Sequence, residues 1–114
     1  MWWLAVASLV GCMNEERFWA QYSVQGCRRA EACDAEDFAD RYDDQDDCRE
    51  EVDAMIADGV ACFDSCEFSA EDANEELKGF KDAACDNREI DLFEVYACDN
   101  ELQVSICVAA ELLF

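Results

Sequence analysis

The chain is predicted to fold as an all-α domain, a small disulfide-stapled bundle of five or six short amphipathic helices. Apolar residues recur at steps of three and four positions, which is the spacing of one helical face. Proline is absent, and no segment alternates apolar and polar residues as a half-buried strand would. Nine cysteines in 114 residues offer covalent links between helices that are individually short.

Helices one and two are marked by capping residues. Helix one is expected to begin after Asn14, whose side chain suits an N-cap, and to run to Gly26 or to Cys33. Asp34 can cap helix two, because Asp37 follows three residues later in a variant of the capping box. These signals predict two helices that meet near Cys33.

Aromatic residues at helical spacing predict the inner faces of these two helices. Phe18 and Tyr22 are four residues apart with Trp19 beside them, and Phe38 and Tyr42 are also four residues apart. Aromatic side chains at such spacing usually belong to a core, although they also favour membrane interfaces. The core interpretation is favoured for the first group.

Helices three and four follow from similar signals. Asp44 or Asp46 would begin helix three, and Gly59 would end it. Its predicted inner stripe comprises Cys48, Val52, Met55 and Ile56. Ser69, followed by Asp72 in the capping-box position, begins helix four. The predicted seam of helix four comprises Ala73, Leu77, Phe80 and Ala84.

The last part of the chain predicts two more helices. The apolar positions of the fifth are Ile90, Phe93 and Ala97. Asp99 can cap the sixth, with Cys98 in the turn before it. The apolar positions of the sixth are Leu102, Ile106, Ala109 and Leu113. The apolar end from Val108 to Phe114 is too short to span a membrane, so a core position is favoured for it.

The net charge of −21 excludes nucleic acid as a partner. Phosphate recognition needs a basic stripe, and the only adjacent cations are Arg28 and Arg29. The segment from Asp34 to Asp58 holds twelve acids against Arg41 and Arg49. Such charge alone would suggest disorder, but the hydrophobic content of 53% and the periodic aromatics favour a folded acidic domain.

The segment Leu9-Val10-Gly11-Cys12 follows an apolar run and resembles the lipobox of bacterial lipoproteins. In that family the small residue fits the signal peptidase pocket and the cysteine takes a diacylglyceryl group, with acyl chains such as palmitate. The resemblance implies a signal peptide over residues 1–11 and a single mature domain over 12–114, lipidated on Cys12. The apolar run is much shorter than the roughly 20 residues that span a bilayer, which favours a cleaved signal.

Two alternatives to a standard lipoprotein signal stay open. An ordinary secretory signal would leave Cys12 incidental. The start Met1-Trp2-Trp3 lacks the Lys or Arg of a normal signal, so either the signal is atypical or the true start lies upstream.

Cysteine parity supports lipidation independently of the motif. Nine cysteines would leave one reactive thiol in an oxidising compartment, whereas removing Cys12 leaves a set that can pair completely. The predicted disulfide cysteines are Cys27, Cys33, Cys48, Cys62, Cys66, Cys85, Cys98 and Cys107. Cys62 and Cys66 would project from one helical face and are expected to bond outward. The preferred first bridge is Cys33 with Cys48, across the short acidic turn between helices two and three.

The acidic turn is also the best candidate for metal binding. Its hard oxygen ligands are Asp40, Asp43, Asp44, Asp46 and Asp47. An EF-hand is excluded, because a loop read from Asp44 has Arg49 where glycine is required and Met55 in place of the closing glutamate. A solvated junction rich in helix caps is favoured, with weak and diffuse attraction of divalent cations.

More of the chain resembles the small, acidic, cysteine-rich helical lipoproteins predicted in many Gram-negative bacteria. The resemblance rests on the lipobox, on the cysteine-flanked helices Cys33 to Cys48 and Cys66 to Cys85, and on Phe38 and Tyr42. It implies a helical domain anchored in the cell envelope, in a group that generally lacks a known activity. Met13 is not the aspartate that resembles an inner-membrane retention signal, so the outer membrane is expected, facing either the periplasm or the exterior.

The residue inventory argues against catalysis. Histidine and threonine are absent, so the commonest general base is missing and no Ser-His or Cys-His pair can form. The predicted function is a lipid-anchored envelope protein with a structural or interaction role, an unidentified protein partner and no cofactor. The alternative is an acidic surface protein that binds Ca²⁺.

Overall fold

A computed structural model describes residues 13–83, 85 and 89–111 of the chain. The described residues form six α-helices: α1 Glu15–Cys33, α2 Ala35–Arg41, α3 Gln45–Gly59, α4 Ala70–Asp82, α5 Leu92–Val95 and α6 Glu101–Glu111. A 3₁₀ helix, Val60–Phe63, extends α3. Strands β1 Glu67–Phe68 and β2 Tyr96–Ala97 form one antiparallel ribbon, in which Phe68 faces Tyr96. The predicted all-α class is confirmed. The predicted signal peptide, Cys12, Ala84 and Leu113 lie outside the described residues.

Four predicted N-caps are confirmed by hydrogen bonds. In each, a side-chain oxygen accepts the backbone N–H three residues later: Asn14 from Arg17 at 2.8 Å, Asp34 from Asp37 at 3.1 Å, Asp44 from Asp47 at 2.8 Å, and Ser69 from Asp72 at 3.2 Å. Helix α1 runs to Cys33, so Gly26 lies inside it. Helix α6 begins at Glu101, one residue later than a cap at Asp99 would place it.

Helix α1 is the centre of the fold, because α2, α3 and α4 all pack against it. Phe18 is fully buried and Trp19 is 6% exposed, so the core interpretation of this aromatic group is confirmed. The ring of Tyr96 stacks on Phe63 with centroids 4.3 Å apart, and Trp19 lies beside both rings. The other core residues are Cys27, Phe38, Cys48, Val52, Ile56, Ala73, Leu77, Leu92, Val95 and Val104.

The predicted fifth helix is wrong in extent. Only Leu92–Val95 is helical, and Ala97 lies in β2. Val95 and Tyr96 are both buried although they are consecutive, which a helical stripe through Phe93 and Ala97 does not provide. The switch to an extended chain lets Tyr96 reach the core, and the carbonyl of Val95 accepts the Ser69 N–H at 2.8 Å. The two strands are too short to show alternation in the sequence.

The predicted inner stripe of the sixth helix is also wrong. Leu102 is 75% exposed and Ile106 is 64% exposed. Val104 is buried instead, and Val108 packs partly against the core. The bond from Cys107 to the 3₁₀ helix fixes which face of α6 turns inward, so the more apolar side faces outward. Ala109, also predicted to face inward, is exposed.

Four disulfides link the eight cysteines after Cys12, as Cys27–Cys48, Cys33–Cys85, Cys62–Cys107 and Cys66–Cys98. The preferred bridge between Cys33 and Cys48 is therefore wrong. Helix α3 packs along the middle of α1, where Cys27 lies, while Cys33 ends α1 beside the segment that follows α4. The outward bonding of Cys62 and Cys66 is confirmed. Cys98 is predicted to lie in the turn before Asp99, but it lies between β2 and a turn that begins at Asp99.

Replacing Cys27 and Cys48 together by alanine should destabilise the domain more than replacing Cys33 and Cys85 together by serine. Cys27 and Cys48 are 0% and 2% exposed, so their loss also weakens the packing of α3 on α1, whereas Cys33 and Cys85 are exposed. Loop entropy favours the opposite order, because the separations are 21 and 52 residues, but only by about 1 kcal/mol.

Chemical denaturation of the two double variants checks this order, with a loss of about 2–5 kcal/mol expected for the buried pair. Mapping of disulfide-linked peptides from the unreduced protein checks the pairing itself. Recovery of a peptide linking Cys33 to Cys48 would contradict the structure.

Candidate functional site at the start of the folded domain

The predicted lipidation site, Cys12, lies outside the described residues, and the described chain begins with the next residue. Met13 is half-buried and packs against the core. Asn14 already caps α1, through its bond to the N–H of Arg17. Met13 and Asn14 are therefore already part of the folded domain. Only these two residues separate Cys12 from Glu15, the first residue of α1.

A hydrogen-bond chain that starts in the core and reaches the surface at Glu15 connects this first turn to Tyr96. The hydroxyl of Tyr96 donates to Oε2 of Glu15 at 2.8 Å and accepts from Nε1 of Trp19 at 3.0 Å. Tyr96 is 1% exposed, so both polar atoms of this aromatic pair need a partner inside the protein. No local sequence pattern predicts this hydrogen-bond chain, because Glu15 and Tyr96 are 81 residues apart.

Burial shifts the acid–base behaviour of two tyrosines beside this turn. Burial raises the pKa of Tyr22 to about 12, and the negative charge of Glu89 adds to the effect. Burial also raises the pKa of Tyr96 above its ordinary value, and the hydrogen bond to Glu15 acts in the same direction. Both phenols are therefore neutral at ordinary pH and act as hydrogen-bonding and packing groups.

The acidic turn between α2 and α3 uses its carboxylates as helix caps. Asp44 accepts the N–H of Asp47, and Oδ2 of Asp47 accepts the N–H of Asp43 at 3.0 Å, so both carboxylates bind backbone donors at the start of α3. Asp46 forms an ion pair with Arg49. Across the described part of the chain, no three histidine, cysteine, aspartate or glutamate side chains converge as metal ligands.

Helix α1 separates two open grooves of different charge. The groove between α1 and α3 has a volume of about 520 Å³ and is lined by Ala20, Ser23, Val24, Asp46, Arg49, Glu50 and Asp53. The groove between α1 and α4 has a volume of about 450 Å³ and is lined by Met13, Arg17, Gln21, Gln25, Asn74, Leu77, Lys78, Lys81 and Asp82. The first groove is mainly acidic and the second mainly cationic. The sequence analysis did not single out the second groove, although both lysines of the chain lie on α4 at helical spacing.

Comparisons with known proteins add no relative. No family model, curated protein or solved structure matches the chain. Among the residues with described positions, no helix has both the length and the apolar character that crossing a bilayer requires.

Replacing Tyr96 by phenylalanine should destabilise the domain by about 1–3 kcal/mol, because the buried Nε1 of Trp19 loses its hydrogen-bond acceptor. Tyr42→Phe is the matched control, since Tyr42 is only half-buried at the end of α2. Thermal or urea unfolding of both variants measures the difference. Equal stability of the two variants would show that the Trp19 bond contributes nothing net.

The domain should lose stability as the pH rises from about 10 to about 12. An unfolded tyrosine ionises near pH 10, whereas the pKa of Tyr22 in the folded domain is about 12. The fold favours the neutral phenol, so the stabilisation is complete below pH 10 and is lost through this interval. Urea unfolding at several pH values measures the loss. Tyr22→Phe should flatten the curve, and an unchanged slope in this variant would contradict the assignment.

Proposed function

We propose that the protein is a lipid-anchored envelope lipoprotein whose folded domain has a structural or interaction role and no catalytic activity. The observation that carries the proposal is the pairing of the cysteines. All eight cysteines after Cys12 bond to one another, so none is left to pair with Cys12. The one remaining thiol of the chain belongs to the segment that resembles a lipobox.

Four disulfides also favour an exported protein. Disulfides form and persist in oxidising compartments such as the bacterial periplasm, and they are rare in the cytosol. The lipobox segment and the disulfides therefore both favour export from the cytosol. These two observations are independent, because the lipobox lies in the first residues of the sequence and the disulfides lie in the folded domain. The outer membrane is part of the proposal, because Met13 follows Cys12 where an inner-membrane retention signal has aspartate.

The start of the folded domain suits a short anchor. Met13 packs against the core and Asn14 caps α1, so an acylated Cys12 would hold the domain directly at the bilayer surface. Each buried methylene contributes about 0.8 kcal/mol, and two or more acyl chains are sufficient for stable anchoring. The membrane affinity would then come mainly from the lipid, and the domain would supply the surface that meets a partner.

The absence of catalysis is proposed from chemistry. Without histidine, a nucleophile would lack its usual base. Among the described acids, Asp34, Asp44 and Asp47 accept backbone N–H groups at helix ends, where they serve the fold. The role proposed for the domain is therefore contact with a partner or with the envelope.

Replacing Cys12 by serine should abolish anchoring. We expect the wild-type protein in the membrane fraction, with an intact mass that includes acyl chains on Cys12. The Cys12→Ser protein should stay unprocessed in the inner membrane or be released as a soluble species. Ser8→Ala, which leaves the lipobox segment intact, should behave as wild type. A wild-type protein that is soluble, cleaved elsewhere and free of acyl mass would refute the proposal.

A further inference from the structure

The groove between α1 and α4 gathers cationic side chains in a chain whose net charge is −21. Lys78 and Lys81 are the only lysines of the sequence, and both line this groove from α4. Arg17 lines it from α1, and Asp82 is the only carboxylate among its lining residues. We call this surface the cationic groove. Its charge is opposite to that of the chain as a whole.

Helix α1 contributes no carboxylate to the lining of this groove. From Arg17 to Ala30 the helix contains no aspartate or glutamate, and it carries three arginines. On its other side, Asp46, Glu50 and Asp53 line the acidic groove with α3. Charges farther apart than about 8 Å are largely screened at physiological salt. A ligand in contact with the cationic groove therefore meets three cationic side chains and one carboxylate among the lining residues.

The two lysines are available to a ligand. Both are exposed, and neither forms an ion pair with a carboxylate among the residues the structure describes. Arg41 and Arg49, on the acidic side of the molecule, are instead paired with Asp37 and Asp46. The positive charge of the lysines is thus not neutralised by side chains of the fold.

The other polar residues of the groove fit phosphate groups. The amides of Gln21, Gln25 and Asn74 also line it and can donate hydrogen bonds to phosphate oxygens. A lysine ammonium binds phosphate as a point charge with three donors. The groove is open and shallow, so it suits a surface of repeated anionic groups better than one enclosed small molecule.

The position of the groove next to the proposed lipidation site points to membrane phospholipids as the source of phosphate groups. Met13 lines its end, and the next residue toward the start of the chain is Cys12, the proposed site of lipidation. From this end the groove runs along α1 from Arg17 to Gln25, a distance of about 12 Å at 1.5 Å per residue. A domain tethered at Cys12 can therefore lay the whole groove along the headgroup layer.

We propose that the cationic groove is the face with which the domain lies against the anionic phospholipid headgroups of the membrane that holds its anchor. This inference rests on the proposed lipid anchor at Cys12. In this orientation the acidic surface of α3, on the other side of α1, is farther from the headgroups. Basic residues near an anionic leaflet each add favourable energy within a Debye length.

Amine acetylation of the purified full-length lipoprotein tests the proposal, because Lys78 and Lys81 are its only lysines. The protein is reconstituted in vesicles of phosphatidylcholine alone and in vesicles that also contain phosphatidylglycerol. Acetylation resolved by peptide mass should be about fivefold slower at each lysine in the anionic vesicles, and high salt should remove the difference. Equal rates in the two kinds of vesicle would overturn the proposal.

Two matched variants separate location from net charge. The first variant, Lys78→Gln with Lys81→Gln, removes two positive charges from the cationic groove. The second variant, Arg41→Gln with Arg49→Gln, removes two positive charges from the ion pairs with Asp37 and Asp46. Energy transfer from tryptophan to a headgroup-labelled lipid measures how closely the domain approaches the bilayer. Anionic vesicles should increase transfer in wild type and in the arginine variant but not in the lysine variant. The same response in both variants would overturn the proposal.

The remaining outcomes distinguish this proposal from the anchor and from other ligands. A protein that fails to float with phosphatidylcholine vesicles would refute the anchor, whereas one that floats but shows equal acetylation rates would refute only the membrane face. Protection of the lysines by inorganic phosphate to the same extent as by anionic vesicles would indicate a free-phosphate site instead. Protection in native envelopes but not in anionic vesicles would indicate a protein partner. Either result would overturn the proposal.

Discussion

Twenty-nine carboxylates against eight cationic side chains give the chain a net charge of −21, and their mutual repulsion opposes compaction. The fold meets this constraint in two ways. Many acids lie at helix starts, where Asp34, Asp44 and Asp47 accept backbone N–H groups and interact favourably with the helix dipole. Four disulfides lower the conformational entropy of the unfolded chain, and this raises the stability of the folded state.

The largest buried aromatic side chains of the fold form one cluster beside α1. Phe18 and Trp19 are buried there with Phe63 and Tyr96, whose rings form contacts within a single cluster. Because the hydroxyl of Tyr96 also reaches Glu15, this cluster fixes the first turn of α1. The side chains that pack the core therefore also fix the position of the chain that follows Cys12. This connection is why an anchor at Cys12 would orient the domain as well as hold it.

Helix α1 also divides the charge of the molecule. Acids line its contact with α3, while cations line its contact with α4. The net charge therefore describes solubility and long-range repulsion, but it does not describe the surface next to Met13. The prediction that nucleic acid is not a partner rests on the net charge and on the scarcity of adjacent cations. The same numbers do not show that Arg17, Lys78 and Lys81 share a groove, since they are brought together only by helix packing.

The sequence by itself determined the all-α class, the N-caps at Asn14, Asp34 and Ser69, and the buried stripe of α3, because these depend on spacings of three or four residues. For α3 it left Asp44 and Asp46 open as caps, and the structure selects Asp44. Parity indicated complete pairing after Cys12, but only the tertiary structure decided that Cys27, and not Cys33, lies against Cys48. It also decided that Leu102 and Ile106 face outward, since the bond to Cys107 fixes the rotation of α6. Tertiary packing also decided three other features: the partner of the Tyr96 hydroxyl, the short β-ribbon and the cationic groove. They depend on residues distant in sequence, whose meeting is set by how helices cross and not by any local pattern.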